Sequence, residues 1–82
     1  MNRISEREAL QMIADAFNEP VHRIARESPR SGIEGWDSMG ALVLIAELDE
    51  RFNVELTADT SRAMQQVSDI LDFLRSHGAL QD

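Results

Sequence analysis

Ser38 is the residue best placed for chemistry. It follows Asp37, a strong helix N-cap residue, and it precedes Met39-Gly40-Ala41 and a long apolar stretch. That order puts the serine in the first turn of a helix, where the loop ends and its hydroxyl meets solvent. The first-turn N–H groups of a helix lack partners and its dipole end is positive, so an anion is favoured there. A nucleophilic triad of Ser38, His22 and Asp37 fails on geometry. Asp37 adjoins Ser38 in sequence and is badly placed to orient a distant imidazole. His22 and His77 as metal ligands would need two more donors, and the chain has no cysteine to supply them. His77, near a helix end, is better explained by the helix dipole.

The elements that must hold Ser38 are helical. Ser5-Glu6-Arg7-Glu8 has the spacing of a capping box, and Leu10, Ile13, Ala14 and Phe17 recur at i, i+3, i+4 and i+7. This predicts a first helix over 6–18 with Arg7, Gln11 and Asp15 on its wet face. Residues 19–36 contain Pro20, Pro29, Gly32 and Gly35 and form a long connection. Val21, Ile24 and Ala25 allow one helical turn after Pro20, while Ile33 and Trp36 are expected to pin the rest to the bundle.

The second helix is predicted over 38–52, with Asn53 as its stop. Thr57 is the expected cap of a short third helix, 58–64, and Ser68 of a fourth, with Asp69 in its first turn. Val67, Ile70, Leu71 and Leu74 make the buried stripe of the fourth helix, and Gly78 ends it after His77. No strand pattern is evident. The expected fold is all-α: a four-helix bundle with a short third helix and a long loop between the first two, one domain over 1–82.

The second helix is apolar over more of its surface than a small bundle can cover. Ala41, Leu44, Ile45, Leu48 and Phe52 form the docking face, and Leu42 is expected to add to the core. Met39, Val43, Ala46, Glu47 and Glu50 form another stripe, apolar near the helix start and acidic near its end. An exposed patch of that kind marks a partner site.

Composition narrows the function classes. Fifteen acidic and eight basic residues, all arginine, give a net charge of −7. This opposes nucleic acid and anionic membranes and favours partners with basic patches. At 82 residues the chain buries about 60% of its unfolded surface, which leaves no room for an enclosed catalytic cleft. The longest apolar run, Ala41–Ala46, is far short of a membrane span. Met1-Asn2-Arg3-Ile4 carries no apolar signal core, so the expected location is the cytoplasm. The expected state is a monomer, with weak self-association through the exposed second-helix patch as the alternative.

Gly35-Trp36-Asp37-Ser38-Met39-Gly40 resembles the phosphopantetheine attachment motif of acyl and peptidyl carrier proteins. The resemblance continues through the second helix to Phe52-Asn53-Val54-Glu55-Leu56, which is similar to the family's Phe-x-x-x-hydrophobic ending. It implies a non-catalytic carrier with a four-helix fold. Its covalent 4'-phosphopantetheine, from coenzyme A, would sit on Ser38 and hold an acyl or aminoacyl group as a thioester. A phosphodiester on Ser38 would place its anion where the helix end favours one. By the same resemblance Asp37 helps the modifying phosphopantetheinyl transferase hold its metal and cofactor. Met39, Val43, Ala46, Glu47 and Glu50 would meet partner enzymes, among them a loading ligase and downstream acyl-transferring enzymes. Gly40 in the first helical turn, Val43 at a position often acidic in fatty-acid carriers, and Trp36 before the Asp look more like D-alanyl and aminoacyl carriers. An amino-acid cargo loaded by a separate ligase is therefore the favoured reading. A fatty-acyl or polyketide carrier is the alternative. From the residues alone, an unmodified helical interaction module that uses the Met39–Val43–Ala46 patch also stays open.

Overall fold

The computed structural model describes residues 3–81. Four α-helices lie among them: α1 (Glu6–Ala16), α2 (Ser38–Phe52), α3 (Ala58–Ala63) and α4 (Val67–Ser76). Two 3₁₀ turns, Val21–Arg23 and Arg30–Gly32, punctuate the long connection. No strand occurs among the described residues; Ile4–Leu80 and Pro29–Gln66 form isolated bridges only. The all-α, four-helix expectation holds, including the short third helix.

The α1 capping box forms as expected. Ser5 N–H donates to Glu8 Oε1 at 2.9 Å, and Glu8 N–H donates to Ser5 Oγ at 3.1 Å. The first of these bonds, helped by the Ser5 hydroxyl, holds the Glu8 carboxyl below the usual glutamate range. A lowered carboxyl favours the folded state above its unfolded pKa, and that contribution is lost as pH falls through the folded pKa. Glu8→Gln should therefore lower the thermal midpoint at neutral pH, and the gap from the parent should close under acid. Melting curves across pH check this; a gap that persists in acid would contradict it.

The first helix ends at Ala16, two residues earlier than predicted. Asn18 takes the left-handed conformation, φ 55°, and Glu19 N–H returns to the Ala14 carbonyl at 2.9 Å. The wet face of Arg7, Gln11 and Asp15 is exposed as expected. The buried face is wider than the predicted stripe, since Ala9 and Met12 join Ile13, Ala14 and Phe17. In the connection only Ile24 of the first turn is buried, while Val21 and Ala25 are exposed.

The fourth helix starts differently from the prediction. Ser68 is not its cap; the helix begins at Val67 with Gln66 as N-cap. Val67 N–H donates to the Ser28 carbonyl and Ser68 N–H to the Arg26 carbonyl, at 3.0 and 2.8 Å. The Asp69 carboxylate reaches back to the N–H groups of Gln65 and Gln66. The long connection thus caps α4 with its own carbonyls and so is fixed to the bundle. The buried stripe Val67, Ile70, Leu71 and Leu74 and the left-handed Gly78 are as predicted.

The core runs between α1, α2 and α4, with Phe17, Ile13, Leu44, Leu48, Leu56, Ile70, Leu71 and Leu74 almost fully buried. Leu42 is a correction. It is 59% exposed and outside the core. At about 100° per residue Leu42 stands roughly 200° around the helix from Leu44, and no fourth wall covers that side.

Candidate functional site

The site is built at the junction of the connection and α2. Asp37 is the N-cap, extended at φ −116° and ψ −167°, and its Oδ1 accepts the Gly40 N–H at 2.9 Å. Ser38 is then the first helical residue, and it is exposed. The Asp37 carboxylate occupies the Gly40 donor, and the Ala41 N–H bonds the Asp37 carbonyl at 2.9 Å. The N–H groups of Ser38 and Met39 have no acceptor one turn back within the helix. The hydroxyl therefore emerges beside two unspent donors and the positive end of a 15-residue helix. An ester phosphate fits here: there is open space for it and a favourable partial charge.

The far end of α2 matches the prediction. Asn53 is left-handed at φ 56°, its N–H donates to the Asp49 carbonyl at 2.9 Å, and Val54 N–H donates to the Leu48 carbonyl at 3.3 Å.

Behind Ser38 the packing is tight. Trp36 is buried and stacks on Phe17, with ring centroids 5.0 Å apart. The Arg30 guanidinium lies 5.4 Å from the centre of the indole and donates to the carbonyls of Ser61, Arg62 and Met64 at the end of α3. Ile33 is buried as well. Both expected pins therefore hold. Trp36 Nε1 is buried with no hydrogen-bond partner among the described residues, so stacking rather than hydrogen bonding holds this ring.

Gly35 and Gly40 are in close approach. A Cβ on Gly35 would lie 1.7 Å from the Phe17 carbonyl oxygen, and one on Gly40 would lie 2.1 Å from the Gly35 oxygen. Both glycines therefore have a packing reason that the sequence pattern does not reveal. Gly40 is needed so that the start of α2 can press against the loop, and this need outweighs its weak helix propensity, about 1 kcal/mol below Ala.

The predicted partner stripe is on the surface. Met39 is 69% and Val43 42% exposed; Ala46 and Glu50 are exposed too. Glu47 is half-buried and pairs with Arg51 at 3.0 Å. A cavity of about 310 Å³ opens beside Met39 and Val43, walled by Ala16, Phe17 and Gly35. His22 and His77 are exposed, and no group of three or more His, Cys, Asp or Glu residues among the described residues is arranged for a metal. The His77 ring instead lies against Phe73, with its Nδ1 2.9 Å from the Phe73 carbonyl. Among the described residues no helix is long and apolar enough to cross a membrane.

Comparison with known proteins agrees with this geometry. The family profile described as "Phosphopantetheine attachment site" matches residues 7–74. The acyl carrier protein of Azobacteroides pseudotrichonymphae genomovar. CFP2 is 30% identical over 78 residues, covering 94% of this chain and 91% of that protein. That of Phytoplasma mali (strain AT) is 30% identical over 67 residues, with 82% and 80% covered. The acyl carrier protein of Porphyromonas gingivalis (strain ATCC BAA-308 / W83) is 22% identical over 72 residues, with 88% and 92% covered.

Proposed function

This chain belongs to the phosphopantetheine attachment-site family, and on that premise we propose that Ser38 carries the arm and that the cargo is an aminoacyl group loaded by a separate ligase. Members of this family are carriers and not enzymes, and their prosthetic group is covalent 4'-phosphopantetheine. When bound, that group supplies the thiol that this cysteine-free chain lacks and holds the cargo as a thioester. The observation that carries the assignment is the exposed Ser38 in the first turn of α2, with Asp37 already serving as the cap.

The other residues are assigned roles consistent with their places. Asp37 keeps the first turn in register and leaves a carboxylate beside the hydroxyl for the transferase's metal. Met39, Val43 and Ala46 offer a partner enzyme an apolar contact, and Glu47 and Glu50 orient it through longer-range charge. Exposed charges of this kind add little affinity but speed encounter, which suits a carrier that serves a transferase, a ligase and acyl-transferring enzymes in turn. The working location is the cytoplasm, where coenzyme A is the donor. Val43 on that strip supports an aminoacyl over a fatty-acyl cargo; Gly40 and Trp36 have packing roles and weigh less.

Incubation with coenzyme A and a phosphopantetheinyl transferase should raise the intact mass by one phosphopantetheine group, located to the proteolytic peptide that contains Ser38. An unchanged mass, or a group on another peptide, would refute the site. The mass of the acyl group on protein isolated from its native host then decides the cargo, with an amino acid expected and a fatty acid overturning that part.

A further inference from the structure

The chain has four methionines and no cysteine. The three methionines among the described residues divide sharply. Met12 is 3% and Met64 6% exposed, and both belong to the core. Met39 is 69% exposed, more than any other large apolar side chain among the described residues, and it adjoins Ser38. It also lines the cavity of about 310 Å³ that opens beside Val43. Until an arm brings a thiol, the Met39 thioether is therefore the one solvent-facing sulfur among the described residues. Oxidation of a methionine follows its accessibility and turns an apolar side chain into a polar one. At Met12 or Met64 the new oxygen would be an unpaired polar atom in the core. At Met39 it stands in water, and the core is untouched.

We propose that Met39 is a reversible oxidation site whose sulfoxide slows docking of the modifying transferase while the fold stays intact. The docking half rests on the reading of Met39 as part of the partner strip beside Ser38. The co-reactant is a hydroperoxide. The Met39 sulfur attacks its terminal oxygen, so the S–O bond forms as the O–O bond breaks. Sulfur is oxidised by two electrons and hydrogen peroxide is reduced to water. A dithiol reductase reverses the change: the oxygen leaves as water and the dithiol becomes a disulfide. Val43 and Ala46, the other apolar members of the strip, have no such chemistry, so the sensitivity resides in one residue. An apolar contact on the transferase offers the sulfoxide oxygen no donor, and docking then carries the cost of an unpaired buried polar group.

The test uses the full chain without its arm. It is treated with dilute hydrogen peroxide, freed of peroxide, and then given to an untreated phosphopantetheinyl transferase with coenzyme A. Trypsin places Met12, Met39 and Met64 on separate peptides, 8–23, 31–51 and 63–75, and fragmentation separates Met39 from Trp36 within the second. Sulfoxide should form at Met39 at least about tenfold faster than at Met12 or Met64, because a buried sulfur must wait for a local opening. Protein oxidised at Met39 alone should melt within about 4 °C of the parent, as an exposed change does. It should load about tenfold more slowly at subsaturating carrier, the order of effect that an unpaired polar atom in an apolar contact brings. A methionine sulfoxide reductase should restore the rate. Met39→Leu, compared with itself before and after peroxide, should show no slowing. Equal oxidation of the three methionines, a large fall in melting temperature, unslowed loading of the Met39 sulfoxide, or equal slowing in Met39→Leu would overturn the inference while the attachment site stands. Untreated protein that takes up no arm would refute the assignment of Ser38, and the docking half of this inference with it.

Discussion

Ser38→Ala is expected to abolish phosphopantetheine loading completely while moving the thermal midpoint by no more than a few degrees. The two halves of this expectation have separate causes. Loading needs an accessible hydroxyl at the transferase-facing end of a helix. Of the seven serines in the chain, Ser38 is the one that opens α2. Ser61 is buried. Ser5, Ser28, Ser68 and Ser76 are engaged in local hydrogen bonds that cap or tie turns. Ser31, in the 3₁₀ turn Arg30–Gly32, is exposed and provides the matched control. Ser31→Ala should load like the parent protein.

The stability half follows from the division of labour at the helix start. Asp37, not Ser38, takes the Gly40 N–H, so the cap survives the substitution. Alanine is the best helix former, and an exposed first-turn change is worth within about 0.5 kcal/mol. For a domain of this size that corresponds to roughly 2–4 °C. Intact mass after the transferase reaction and a melting curve on the same sample read both halves. Residual loading would place the arm elsewhere, and a large drop in melting temperature would mean that the hydroxyl is structural.

Much of this site is visible in the sequence because its signals are local. Ser5 with Glu8, Asp37 before Ser38, Asn53 after Phe52, Thr57 before Ala58 and Gly78 after His77 each act within a few residues, and each is found in its expected role. What was missed depends on contacts between distant segments. The cap of α4 comes from the carbonyls of Arg26 and Ser28, some forty residues upstream, so Ser68 looked like the cap when it was not. Leu42 looked like core because its immediate neighbours are apolar; only the number of walls around α2 shows that it has none. Asn18 carries the same signal as Asn53, yet the expected first helix runs through it to residue 18, whereas Asn18 is left-handed and lies beyond the helix end at Ala16. Gly35 and Gly40 were legible only as turn and weak-helix residues. The reason is the Phe17 backbone for Gly35 and the Gly35 carbonyl with the Phe17 ring for Gly40, a packing that no local pattern contains.

That last point leads to the largest stability effect expected in the chain. Gly35→Ala should destabilise the protein by about 3 kcal/mol or more, at or above the usual range for overpacking, because the obstacle is backbone. The new Cβ would sit 1.7 Å from the Phe17 oxygen and 2.7 Å from the Phe17 carbonyl carbon, and a main-chain carbonyl cannot rotate away as a side-chain tip can. Relief would require moving the end of α1. Phe17 is nearly fully buried and carries the Trp36 stack, so that movement would open the core behind Ser38. Gly40→Ala meets the Gly35 oxygen at 2.1 Å and the Phe17 ring at 2.9 Å. It recovers up to about 1 kcal/mol of helix propensity and should therefore lose less. Gly32→Ala meets only Pro29 side-chain atoms at 3.4 and 3.7 Å and should be close to neutral. Since a domain of this length is held by roughly 4–12 kcal/mol, Gly35→Ala should lower the urea midpoint by a quarter or more, or prevent folding outright. Gly32→Ala, purified alongside, shows whether a methyl group alone is the cause. Equal midpoints for Gly35→Ala and Gly32→Ala would mean that the loop does not press against Phe17, and the tight seat of the α2 N-terminus would go with it.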